Sequence, residues 1–234
     1  MAAGDPTPQA LRAFHDDLST AYGPQRWWPT QDADNPRFEI LVGAVLTQHT
    51  AWTNVDIAIA ALREAGPLTA EALLAHADLP VLIRRAGPHN VKARRLRALC
   101  QWFVDNGGFE TLAAWPSAAL RRELLALHGI GFETADVILL YAFERPAFVA
   151  DAYAFRILER YGWWRGRRNY ERLRQQVEHA GPTADAAFYD ELHALIVAHA
   201  KQRCHKRAPD CGQCVLASRC ACALKAAPDA ATGG

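Results

Sequence analysis

An all-α fold is predicted by three observations on the sequence. Apolar residues recur at spacings of three and four along most of the chain, no stretch of useful length alternates apolar with polar residues, and glycine or proline punctuates the periodic runs at helix-sized intervals. With 234 residues, 50% of them hydrophobic, the chain can bury a real core, and its length suits one large domain or two small lobes.

Taken in order, residues 8–22 read as an amphipathic helix with Leu11, Phe14, Leu18 and Tyr22 on one face, stopped by Gly23-Pro24. Trp27-Trp28-Pro29 follows in a segment without periodicity, where two adjacent rings can pack against the domain or line a pocket. Residues 38–46 are nearly all apolar and read as a buried helix, interrupted by Thr47-Gln48-His49-Thr50 before a second helix over 51–65. Short helices over 69–76 and 79–86 lead to the turn Gly87-Pro88-His89-Asn90 and a basic helix over 91–104. Residues 119–127 form a helix with Leu120, Leu124 and Leu127 aligned, and further helices are expected from Ala152, over 170–179 and over 184–200. The Ala/Gly-rich tail 226–234 is expected to be disordered.

Formal charge is only +1, so affinity for nucleic acid must come from local patches. Such runs occur at Arg84-Arg85, 92–97, 165–174 and 201–207, although each also suits a solvated helix face. Only four lysines occur, Lys92, Lys201, Lys206 and Lys225. Met1 to Pro6 carries no basic-then-apolar leader and no later run matches a membrane span, which sets the expectation of a cytoplasmic protein, and a monomer is expected.

The stretch around Leu127-His128-Gly129-Ile130-Gly131-Phe132-Glu133-Thr134-Ala135 joins two helices across two glycines. Gly129 and Gly131 permit backbone angles other residues resist, and without side chains they leave the amides at the second helix's start open to an anion such as phosphate. Farther on, Asp151 stands where a helix cap belongs. Four of the six cysteines fall at Cys204-x6-Cys211-x2-Cys214-x5-Cys220, in loops too short and polar to fold alone, so a metal centre is expected, zinc or iron–sulfur. Cys100 reads as a buried apolar residue and Cys222 has no assigned part.

Hairpin, aspartate and cysteine quartet, in that order, resemble the helix-hairpin-helix DNA glycosylases of the endonuclease III superfamily. The resemblance runs from about Phe38 to Cys220 and implies two helical lobes: a six-helix bundle over 37–145, and a lobe built from 1–36 and 146–234. It implies a [4Fe–4S] cluster on Cys204, Cys211, Cys214 and Cys220, with Asp151 as the catalytic carboxylate. It also implies double-stranded DNA with a damaged base as partner. Gly129 and Gly131, Gln48, the Pro88-His89-Asn90 turn and the cationic Lys206-Arg207 are the expected DNA contacts.

One departure bears on the chemistry. Bifunctional members carry a nucleophilic lysine where this chain has Glu133, and a carboxylate cannot form their imine. Trp27-Trp28-Pro29, Val42 to Gln48 and Glu133 resemble the monofunctional 3-methyladenine DNA glycosylase III branch, which implies a base pocket of Trp27, Trp28 and Trp52, with Tyr153 nearby. Cationic alkylated purines suit aromatic walls and need neither a strong acid nor a lysine. The expected activity is therefore removal of alkylated purines without strand cleavage. Two other readings stand beside it: an endonuclease III-like enzyme for oxidised pyrimidines, and a DNA-binding protein that has lost turnover. Trp163-Trp164 are expected to pack between lobes.

Overall fold

A computed structural model describes residues 4–25 and 27–226, and every regular element among them is helical. The chain forms two compact units, Trp28–Arg145 and Met1–Trp27 with Pro146–Gly234.

In the first of these, α2 (Pro36–Leu46) is buried along its length from Phe38 onward, as a helix apolar on every side must be. Around it lie α3 (Trp52–Ala65), α4 (Ala70–Ala75), α5 (Leu79–Leu82), a 3₁₀ turn over Arg84–Ala86, and α6 (His89–Asp105). Then come α7 (Gly108–Ala113), α8 (Ser117–Ala126) and α9 (Phe132–Val137), which runs directly into a π-helical turn over Ile138–Ala142. Helix α6 packs on α4 and α2, and α2 lies against the π turn.

This unit begins at Trp28, not at residue 37 as the sequence suggests. The buried Glu39 carboxylate on α2 accepts from the backbone N–H of Gln31 at 2.8 Å and of Asp32 at 2.6 Å, so the preceding segment is tied to the bundle. Helix α7 was not expected: it starts where Gly107 and Gly108 take left-handed φ values of +77° and +69°.

In the other unit, Thr7 caps α1 (Pro8–Tyr22), which buries Leu11, Phe14 and Leu18 against α11 (Tyr170–Ala180) and α12 (Ala186–Gln202). Helix α10 (Ala152–Tyr161) packs on α12 and on α13 (Ala221–Ala226). The helix α13 reaches into the segment expected to be disordered, whose remainder lies outside the described residues. Trp163 and Trp164, expected between lobes, have ring partners inside this unit: Trp163 meets Phe14 and Tyr161, and Trp164 meets Phe155. Cys100, in the first unit, is buried as expected, and burial pushes its thiol up to about 12.

Candidate functional site

Helices α8 and α9 form a hairpin across residues 127–131. Arg121 on α8 grips the fully buried Asp136 on α9 with both carboxylate oxygens, Nε to Oδ1 at 2.6 Å and a terminal nitrogen to Oδ2 at 2.9 Å. Gly129 takes φ +83°, and a Cβ there would meet Arg95 Cδ at 2.6 Å. Gly131 differs from expectation: its φ of −94° suits any residue and nothing lies within 4 Å of an added Cβ. Its lack of a side chain therefore serves only to keep the start of α9 open. Glu133 is exposed in the first turn of that helix, favoured by the helix dipole, beside the exposed Phe132 whose ring lies 5.5 Å from the Arg121 guanidinium carbon.

Gln48 is held by partners within its own unit. Its amide nitrogen donates to Gly129 O at 3.0 Å and Thr134 Oγ1 at 2.9 Å, and its oxygen accepts from Arg95 at 2.5 Å. The side chain thus fastens the turn after α2 to the hairpin. Its neighbour His49, exposed at φ +53°, is the residue this turn presents outward. Pro88 and Asn90 are exposed in the second turn, and His89 beside them is half-buried. The basic run 92–97 divides: Arg94 faces solvent, whereas Lys92 is 2% exposed and donates to three acceptors within the unit.

The paired tryptophans part company. Trp28 packs edge-on to Trp52 with centroids 5.0 Å apart, and lies 5.4 Å from Tyr141. Its ring sits over Gly43, where a Cβ would come within 3.1 Å, which is why α2 carries glycine there. Tyr141 belongs to the π turn, whose changed register aims it at this cluster, and sequence periodicity gave no sign of it. Trp27 falls in the other unit, with Lys201 Nζ 5.8 Å from its ring centroid.

In that other unit Asp151 caps α10: Oδ1 accepts from Ala154 N at 2.7 Å, while Oδ2 faces His193 Nε2 at 3.8 Å. One oxygen holds the helix and the second is turned to His193. His193, on α12 among apolar neighbours, is 6% exposed. One turn before it, Asp190 buries Oδ1 without a hydrogen-bond partner, and burial, with Glu191, pushes its carboxyl up to about 6. Tyr153 is half-buried under the Arg156 guanidinium, 5.1 Å from its ring centroid.

Cys204, Cys211, Cys214 and Cys220 line one pocket, and Cys222 joins them. Helix α10 positions the loop: Arg156 donates to Cys204 O at 2.9 Å, and Arg160 to His205 O at 2.7 Å and Lys206 O at 2.8 Å. Lys206 and Arg207 point into solvent from that pinned backbone.

Residues 42–182 match the family model described as HhH-GPD superfamily base excision DNA repair protein. The chain belongs to this superfamily. A candidate DNA repair glycosylase of Methanocaldococcus jannaschii is 41% identical over 205 residues, spanning 85% of this chain and 90% of that protein. Among solved structures, a trapped endonuclease III–DNA covalent intermediate superposes with TM-score 0.78 at 23% identity, covering 94% of this chain and 99% of that one. The H. pylori 3-methyladenine DNA glycosylase bound to 1,N6-ethenoadenine gives 0.68 at 28% identity, covering 83% and 95%. This HhH-GPD protein is thus a DNA N-glycosylase with the helical fold expected from its sequence. Among the described residues no helix is long and apolar enough to cross a membrane.

Proposed function

We propose that this glycosylase is monofunctional and releases alkylated purines from double-stranded DNA. The observation that carries the reading is the state of the amines in the unit bearing the hairpin. Glu133 stands at the exposed position where a lyase keeps its lysine, and Lys92, the one lysine of that unit, is buried on three acceptors. Imine chemistry needs an accessible neutral amine, and neither residue offers one.

Trp28, Trp52 and Tyr141 supply electron-rich faces for a base carrying positive charge, worth roughly 0.5 to 2 kcal/mol per contact. Such a base leaves without further protonation. Asp151 Oδ2 then faces the positive charge developing on the sugar and orients, or takes a proton from, the attacking water. His49, Pro88, His89 and Asn90 are assigned to the two turns that enter the duplex when the base is turned out, and the amides at Gly129 to Gly131 to a backbone phosphate, with Lys206 and Arg207 as further phosphate contacts. Trp27 and Tyr153 lie in the other unit and are given no part in this aromatic cluster. The similarity to the 3-methyladenine glycosylase supports this substrate class.

Cys204, Cys211, Cys214 and Cys220 are assigned to a [4Fe–4S] cluster. All four thiols line one pocket, which supports a group held by four thiolates. It would supply a rigid cross-link that fixes the cationic loop.

A base-release panel tests the reading. Methylated duplex DNA should yield 3-methyladenine, while release of thymine glycol in its place would establish the oxidised-pyrimidine alternative. Borohydride should trap no adduct on an abasic duplex.

A further inference from the structure

Two turns of the hairpin-bearing unit meet on a single buried ammonium. Lys92 Nζ donates at 2.6 Å to each of three acceptors: Leu46 O at the end of α2, Thr50 Oγ1 in the turn that follows, and Ala86 O before the second turn. Thr50 Oγ1 in turn donates to Ala86 O at 2.7 Å, closing a triangle. The turns touch elsewhere too, since a Cβ on Gly87 would lie 3.4 Å from Thr50 Oγ1. An ammonium has three N–H donors, and all three are used. Thr50 lies in the first turn, and Leu46 and Ala86 are the residues that immediately precede the first and the second.

Burying an ammonium is costly, and an apolar side chain would fill the same space more cheaply. Burial accordingly lowers the Lys92 pKa to about 8. What the ammonium adds over a hydrocarbon is direction, because it holds backbone atoms of two turns at fixed mutual distances. Extruding a base costs a few kcal/mol, and turns that yield separately would dissipate that work.

We propose that Lys92 is a positioning residue that locks the 47–51 turn, with His49 at its tip, to the 87–90 turn, so that the two open the duplex as one rigid element. This rests on the reading of those turns as the elements that enter DNA. Arg95, one turn along α6, extends the same bracing to Gln48 and the hairpin.

The test compares Lys92→Met and Thr50→Val with the wild type by amide hydrogen exchange and on a duplex carrying a tetrahydrofuran site opposite 2-aminopurine. This probe needs no knowledge of the damaged base, so failure of the substrate assignment leaves it intact. Both variants should raise exchange at least tenfold in 47–51 and 87–90 together, with 128–131 unchanged. The 2-aminopurine fluorescence rise should slow more than tenfold while duplex affinity changes less than threefold. Exchange rising in one turn alone, or a rise rate falling no further than affinity, overturns the proposal. Thr50→Val keeps the ammonium and carries the test if Lys92→Met does not fold.

Discussion

Arg121 and Asp136 meet as a two-point ion pair, at 2.6 and 2.9 Å, between the two helices of the hairpin, and Asp136 has no solvent exposure. Removing one partner of a buried ion pair costs about 3 to 5 kcal/mol. Arg121→Ala should therefore lower the unfolding free energy, read from a urea titration, by about that much. Arg122→Ala, one residue along and largely exposed, should change it by less than about 0.5 kcal/mol.

The two hairpin glycines should separate stability from binding. Gly129→Ala forces a left-handed φ of +83° on a residue with a Cβ and displaces Arg95, so it should cost at least about 1 to 2 kcal/mol in denaturant. Gly131→Ala meets neither obstacle and should leave stability within about 0.5 kcal/mol. If the amides at the start of α9 receive a phosphate, the new methyl group crowds it. Duplex affinity, read by fluorescence anisotropy, should then fall about tenfold in Gly131→Ala.

The helices were legible because their apolar spacings survive in the sequence, and α2 announced its burial by being apolar throughout. What was not legible depends on partners distant in sequence. Lys92 reads as part of a basic surface run because its acceptors lie up to 46 residues away. Gln48 and His49 are adjacent polar residues in one turn, and only the left-handed φ at His49 decides which faces inward. Tyr141 required a π turn that no period predicts, and His193 is hidden in a helix that is buried along most of its length. Asp151 reads as a helix cap in the sequence, and the structure keeps that cap on α10 with the second oxygen 3.8 Å from His193 Nε2.

Asp190 gives a pH dependence with a definite sign. Its folded pKa of about 6 lies above the ordinary 3.8, so the native state binds this proton more tightly than the unfolded chain. Its effect on stability is nil below about pH 4, grows unfavourable as pH rises through about 6, and is constant above that. Asp190→Asn should raise stability by about 1 to 3 kcal/mol at pH 7, partial exposure reducing the effect, and by almost nothing at pH 4. Thermal melts at the two pH values measure the difference.

Asp151 and His193 make the sharpest test of the chemistry. Asn is as good a helix cap as Asp, so Asp151→Asn should keep the bond to Ala154 N and leave stability within about 0.5 kcal/mol. If the carboxylate charge is what stabilises the sugar cation, base release under single-turnover conditions should fall about 1000-fold or more while duplex affinity holds. His193→Phe preserves the bulk on α12 but takes away the imidazole 3.8 Å from Asp151 Oδ2. Loss of that contact should lower single-turnover base release with duplex affinity unchanged, whereas a role in packing alone would lower the melting temperature and leave release as it was.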